Sequence, residues 1–593
     1  MAGNLSLEFV HFKYIGPRQV NYSEKPPPQQ QIVEVQRFEE PEIRLARFLY
    51  IGKEYANYQP GYWFAHNYFI IKNVPSIEEL ADNEEKQLVP IEIIIKAFES
   101  NLVPHPETLV FALAICCRQD KSEKLRAAAY ENVGKICVSP QDFILFINFA
   151  SRLCREKELN YVTQGWGNGF RKAVNNWYLS KEPLDLAKCV TKYKSRYGWK
   201  HKDIVKMSHP STNSPEKELV LKYVLYGMVK IKADLNNQSE NPNNQSENPN
   251  NQSENPNINE ILKYIQDVED FKHCEDEVRA AALLETYGFS LEHVPGHLLK
   301  SKEVWNSLIS SMDIVTLLNN LQRISNLGLL NLDGLAIEKV TEQLTNAEHI
   351  AQSKINPASI FITLKNYEHS GKPLTFEKRK IQQAAKKAPQ SSPMPNDKIK
   401  YALYKAFDLS LAHQQSTNLR YLLTISTNKA MEAPTWHNAN MTGVETGCLI
   451  AMMLLRCETN VTIATYKNVQ EQVTTVNVDK TQSFSNILDI LKTKTPVGGT
   501  NLSKPILWAK NEKAKYDVFI NVVDQVYERC DDSQNTFISY RDDMKLPQAK
   551  LINCSVCCSS TYRKINCDKN ILTINGFDAT VPIVIQAFSQ SLF

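Results

Sequence analysis

Two fold classes in succession are predicted by this sequence: an all-α region of stacked helix pairs, then an α/β domain built on a parallel sheet. Three observations predict it. Within 303–323, Val304, Leu308, Met312, Val315, Leu318 and Leu321 recur at three- and four-residue spacing, which puts them on one stripe of a helix. A polar stretch at 386–398 with Pro389, Pro393 and Pro395 then interrupts the pattern. Beyond it, short β-rich runs at 421–427, 461–466, 517–523 and 550–556 alternate with helical stretches at 444–457 and 502–514, the pattern of strands joined by crossover helices.

Taken in chain order, residues 1–40 carry Pro26 to Pro28 and Gln29 to Gln31 and read as a disordered arm that cannot bury enough surface to order itself. Residues 41–385 form the helical region, with further amphipathic helices expected at 109–117, 140–152, 170–179, 217–231 and 260–272. Inside it NNQSENP occurs three times over 236–256, a disordered insertion that costs little loop-closure entropy. Residues 386–398 are a linker and 399–593 the α/β domain. In such sheets ligand sites lie at the carboxyl ends of the strands, here 426–430, 498–501 and Asp524.

Composition narrows the function class. With 42% hydrophobic and 22% charged residues the chain is ordinary globular protein, and a net charge of +3 leaves any polyanion site to a local patch. No basic leader with an apolar core opens the chain, and no window reaches the ~20 apolar residues that span a bilayer, so a soluble, non-secreted protein is expected. Thirteen cysteines without framework spacing read as thiols of a reducing compartment, cytoplasm by default with the nucleus as alternative. Cys554, Cys557, Cys558 and Cys567 contain one C-x₂-C without a second, which favours buried thiols over zinc. Gly498-Gly499 lacks the Gly-Lys-Ser/Thr ending of a phosphate loop, and no nucleophile and base group can be assembled from spacing, so no enzyme is expected.

One local patch stands out. Residues 151–210 carry thirteen Lys/Arg against five Asp/Glu. Lys188, Lys192, Arg196 and Lys200 recur every fourth residue, so a helix would align them on one face where like charges repel and a polyanion relieves the repulsion. Bound phosphates would release counterions, and Tyr193, Tyr197 and Trp199 would offer stacking surfaces to unpaired bases. A solvated basic face is the competing reading.

The run Val190-Thr-Lys-Tyr-Lys-Ser-Arg-Tyr-Gly-Trp-Lys-His-Lys-Asp203, followed by Met207-Ser-His-Pro210, resembles the Y RNA-binding segment of the Ro ribonucleoprotein, or TROVE-module, family. Leu109-Val-Phe-Ala-Leu-Ala-Ile-Cys116, Gly169-Phe-Arg-Lys-Ala173 with Trp177-Tyr178, Leu299-Lys-Ser-Lys-Glu-Val-Trp305, and Val497-Gly-Gly-Thr500 with Trp508 agree in family order. The resemblance implies a HEAT-like helical-repeat ring, monomeric, joined to a von Willebrand A-like domain. It implies that small noncoding RNA of the Y type binds the outer surface, and that single-stranded ends of misfolded small RNAs, such as 5S rRNA precursors, enter a central hole for RNA quality control. By position it assigns RNA contact to Lys192, Arg196 and His209, then Arg171 and Lys172, beside Lys188 and Lys200 of the basic run. Arg196 can pair two phosphate oxygens through its planar fork. His209 precedes Pro210, which favours extended backbone and a ring projecting from a loop.

In the von Willebrand A family an Asp-x-Ser-x-Ser run, a Thr and an Asp hold a divalent cation such as Mg²⁺. Here Ser426 stands for that Asp and Asn428 and Ala430 for the two Ser, with Lys429 alongside; Thr500 and Asp524 match. No metal and no other cofactor is expected, and Asp524 is expected to be solvated, hydrogen-bonded or paired with Lys429. Protein partners through the A-like domain remain open, and the rival reading is a protein-interaction scaffold whose basic face is merely solvated.

Overall fold

The computed structural model describes residues 39–60, 69–154, 165–239, 256–331, 334–371, 393–466, 473–492, 500–526, 533–558 and 568–593. The expected arm up to residue 38, most of the expected linker, Gly498, Gly499 and Cys567 lie outside them. Of the NNQSENP repeats, 236–239 end helix Met228–Ser239, Pro256 opens helix Pro256–Lys272, and 240–255 lie outside the described residues.

The helical region forms as its caps dictate. Ser139 accepts from the Asp142 amide and Pro140 takes the first helical position of Pro140–Leu153, where a missing N–H costs nothing. Helices Glu107–Arg118, Asn168–Leu179 and Pro256–Lys272 match expected segments. Two expected helices are each divided. Gly227, at φ 77 and ψ 176, separates Pro215–Tyr226 from Met228–Ser239. The 303–323 stripe splits into Lys302–Ser311 and Ile314–Asn326, because Asp313 caps the second helix by accepting from the Thr316 amide at 2.8 Å. An apolar stripe continues across such a break, so periodicity alone cannot detect it.

The chain condenses into two compact units. Of the described residues, those within 69–99 and 105–311 make up one, and those within 39–60, 100–104 and from Met312 onward make up the other. In the first, the Phe143 and Trp177 rings stack 3.8 Å apart while the indole donates to the Cys137 carbonyl at 2.6 Å. In the second, helix Asp397–Leu411 packs against Leu335–Thr345 and Pro357–Glu368, so helices upstream of 386–398 condense with the sheet.

That sheet contains β1 (Asn57–Tyr58), β2 (Arg420–Ile425), β5 (Asn460–Tyr466), β6 (Val473–Thr475), β7 (Val518–Val523), β8 (Lys550–Ser555) and β9 (Ile571–Asn575); β3 (Pro434–Thr435) and β4 (Asn438–Thr442) form a separate ribbon. Its order is β1-β9-β8-β7-β2-β5-β6, parallel except for β6. Strands β2, β5, β7 and β8 were expected. Leu422, Phe519, Leu551 and Ile571 lie in one core against Phe537 and Tyr540. From β2 the chain moves outward through β5 on one side and returns through β7, β8 and β9 on the other, so the order reverses between β2 and β7. Such a reversal is where sheets of this class place their ligand crevices.

Candidate nucleic-acid interface

Helix Pro183–Lys192 carries Pro183 in its first turn and buries Leu186, Ala187, Val190 and Thr191. It ends at Tyr193, whose φ −122 and ψ 134 are extended. The chain then makes a tight reversal in which Arg196 and Trp199 exchange backbone hydrogen bonds of 2.9 and 2.8 Å. Tyr197 at φ 49 and Gly198 at φ 80 are both left-handed, as a two-residue reversal of this kind requires. Lys200, extended, precedes helix His201–Ser208. The expectation that Lys188, Lys192, Arg196 and Lys200 share one helical face is therefore corrected: Lys188 and Lys192 are on a helix, Arg196 on a hairpin and Lys200 at the next helix start.

The reversal gives each cation its own setting. Arg196 lays its guanidinium over the Tyr193 ring, 4.5 Å from the centroid, with the Lys192 ammonium 5.7 Å from the same ring. The Arg196 Nε is buried without a hydrogen-bond partner. Lys188 is exposed and stands 3.4 Å from Asp185, a surface pair worth little. Tyr197 is only 7% exposed and its hydroxyl accepts from Gln141 Nε2 at 3.3 Å, so the expected stacking surface there is spent on the fold. Trp199 is half-buried, 6.0 Å from the Trp166 ring. Tyr193 is half-buried, and burial raises its phenol pKa while Arg196 opposes the shift.

Arg171 and Lys172 lie on, and His209 closes, two helices that pack together. Helix Asn168–Leu179 buries Phe170, Ala173, Val174, Trp177 and Tyr178 and leaves Arg171 and Lys172 exposed. One turn beyond them, Asn175 donates to the Ser208 carbonyl at 3.0 Å, and Tyr178 pairs with His201 Nδ1 at 2.9 Å. His201 is buried, which pushes its pKa down to about 4. His209 departs from expectation: φ 52 and ψ 59 are left-handed, because it closes helix His201–Ser208 by donating its N–H to the Val205 carbonyl. The ring is exposed nonetheless.

At the switch point of the sheet a second group converges. Ser426 Oγ lies 3.2 Å from Thr500 Oγ1, and the Asn428 amide nitrogen lies 3.3 Å from Thr500 Oγ1 and 3.0 Å from Asp524 Oδ1. Asn428 Oδ1 is meanwhile engaged by the Met431 amide at 3.2 Å, so the atom turned toward Asp524 is a hydrogen-bond donor. A dication needs oxygens at that place, and these residues do not fit one. Asp524 is thus hydrogen-bonded, one of the expected outcomes, while Lys429 and Ala430 are exposed. Among the described residues no group of three or more His, Cys, Asp and Glu is placed to hold a metal ion. Cys554 is buried in β8, and Cys557 has its thiol pushed up to about 12 by burial, reinforced by Asp524.

Comparison with known proteins places these features in context. A family profile described as the TROVE domain matches residues 72–434, and one described as the Ro60 vWA domain matches 420–589. A Caenorhabditis elegans protein named RNA-binding protein RO60 is 23% identical, covering 92% of this chain and 87% of its own. Its Deinococcus radiodurans namesake is 22% identical, over 93% and 92%. The crystal structure of the Deinococcus radiodurans Ro (Rsr) protein superposes with a TM-score of 0.75 at 21% identity, covering 93% of this chain and all of the other.

Proposed function

The chain belongs to the TROVE family and carries that family's Ro60 von Willebrand A domain, and from this premise we propose that it binds a structured small noncoding RNA of the Y type. The observation that carries the reading is the hairpin at 193–200. It holds Arg196 against Tyr193 with Nε buried and unpartnered, beside Lys192, on the most basic stretch of the chain. A guanidinium fixed by an aromatic face loses little freedom when its fork meets a phosphate. Arg171, Lys172 and His209 extend the footprint. In this reading the misfolded small RNAs, 5S rRNA precursors among them, enter the central hole by their single-stranded ends, the protein works as a cytoplasmic monomer, and the A-like domain takes protein partners. Its crevice takes no Mg²⁺, because the Asn428 amide occupies the cation's place in the hydrogen-bond pattern.

The test is recovery of co-purifying RNA from the native chain and from Lys192→Ala/Arg196→Ala, with thermal melts to confirm folding. A discrete structured RNA, bound with steep salt dependence and lost from the double variant with ~2 units of salt slope, is expected. No enriched RNA from the native chain would sink the proposal and leave the scaffold reading standing.

A further inference from the structure

Three separated segments meet beside Lys192. Helices Pro183–Lys192 and Pro256–Lys272 pack together, Thr191 Oγ1 lying 3.4 Å from the Tyr264 hydroxyl, and the short helix Leu291–His293 packs against both. Lys192 and Lys272 are each the last residue of their helix. Between them lies His293, 8% exposed, with Nδ1 3.0 Å from Ser290 Oγ and Nε2 buried without a hydrogen-bond partner. Beneath it the Phe289 ring stacks with Tyr287 and packs against Phe271, Tyr264 and the imidazole itself, so the group sits on a rigid aromatic base.

Lys272 is only loosely engaged by its neighbouring carboxylate. Lys272 has Glu269 three residues back, but Tyr223 donates to Glu269 Oε1 at 2.5 Å, and the ammonium stands off at 3.9 Å, beyond hydrogen-bond distance. Burial holds the His293 pKa down at about 4, Lys272 and Lys192 push the same way, and Glu292 opposes them. Burial also lowers the Lys272 pKa, with Glu269 opposing and Lys194 reinforcing the shift. Helix C-termini favour one cation each, which accounts for Lys192 and Lys272 separately. It does not account for Lys194 being added or for a buried polar nitrogen left unpaired among them, an arrangement that costs stability unless something supplies the missing charge and hydrogen bond.

We propose that Lys194, Lys272 and His293 join Lys192 in a phosphodiester-binding cleft that carries the bound RNA backbone from the 193–200 hairpin across to helix Pro256–Lys272. The inference rests on the RNA-binding reading above and adds to it the residues of a second contact. The lysines meet phosphate oxygens. A ribose 2′-hydroxyl, able to donate and to accept, satisfies His293 Nε2 in either tautomer.

The experiment measures binding of the co-purifying RNA to the full-length chain across a salt series for the native protein, Lys194→Ala, Lys272→Ala, Lys272→Arg and Lys192→Ala/Arg196→Ala, with melts alongside. Each single alanine variant should weaken binding about fivefold at moderate salt and lower the slope by ~0.7–0.9, with Lys272→Arg near native. If the double variant loses slope while Lys194→Ala and Lys272→Ala keep the native value, the cleft is refuted and the RNA-binding reading survives. If the native chain itself shows no salt-dependent RNA binding, both are refuted. Should Lys272→Ala melt early, Lys272→Gln, which keeps the stem, replaces it with the same expectation.

Discussion

Replacing Asn428 by aspartate tests the switch-point crevice with a change of one atom. The new carboxylate keeps the oxygen that the Met431 amide reaches, so the local turn survives. The other oxygen replaces the amide nitrogen that sits 3.0 Å from Asp524 Oδ1, and Asp524 is only 5% exposed. A charge-assisted hydrogen bond worth ~1.5–3 kcal/mol is lost. Two carboxylates about 4 Å apart at an effective dielectric near 20 then repel by ~4 kcal/mol. Proton uptake limits that repulsion, since raising one carboxyl from a pKa near 4 to above pH 7 costs about 4 kcal/mol. The expected loss is ~3–5 kcal/mol at neutral pH in chelator, read by urea denaturation. Its pH dependence has a definite sign: the carboxyl pair of the variant holds one proton with a folded pKa above the unfolded value, so the deficit grows as pH rises from about 4 and shrinks on acidification. Millimolar Mg²⁺ should recover part of the loss, because the introduced carboxylate joins Ser426, Thr500 and Asp524 in a set made only of oxygens once the amide is gone. A variant as stable as the native chain in chelator at neutral pH would show that the Asn428 amide does not hold Asp524.

Three further outcomes are expected. Gly198→Ala forces a β-carbon into a residue at φ 80 with open space around it, so strain rather than a clash should destabilise the hairpin by ~1 kcal/mol and weaken RNA binding without removing a charge; unchanged affinity in the binding series would detach the hairpin from the interface. His201 is buried with its pKa down at about 4, against an ordinary 6.5, so it should contribute ~3 kcal/mol to the stability the native chain loses as pH falls from about 6.5 toward 4, beside buried His105 and His293 of the same unit; His201→Gln should make that slope shallower by its own share, and a parallel profile would refute the assignment. Arg118 is buried, donates to the Ala150 and Gly165 carbonyls and lies 3.9 Å from the Phe170 centroid, so Arg118→Met should cost ~2–4 kcal/mol by stranding those carbonyls, as a denaturation curve would reveal.

Much of the fold was written locally. The apolar stripe of helix Pro140–Leu153 and the β-rich runs of β2, β5, β7 and β8 act through neighbours a few residues away, and each was legible without tertiary contacts. The errors share a cause. Asp313 as a helix start was hidden inside a continuing apolar stripe, and β1, two residues long, has no periodicity to detect; it exists because Asn57 and Tyr58 register with Thr573 and Ile574 on a strand far away in the chain.

The candidate site divides along the same line. Residue types and their order carried the family resemblance in five stretches between Leu109 and Trp508, the concentration of positive charge in 151–210 and the expectation that the metal ligands are degraded in 426–430, because charge count and ligand chemistry are properties of the residues themselves. Where those residues stand was decided only by tertiary structure. The helix ends at Lys192 and Tyr193 is extended, which takes Arg196 off the helical face that its spacing suggested, and a helix-capping bond overrides the extended backbone expected of His209 before proline. Packing of three distant segments brings Lys272 and His293 to Lys192, and the competing demand of the Met431 amide turns Asn428 so that its nitrogen faces Asp524. The physical reason is range: propensity, capping and charge are short-range terms carried by the sequence, whereas burial and the satisfaction of polar atoms are settled among segments that meet only in the folded chain.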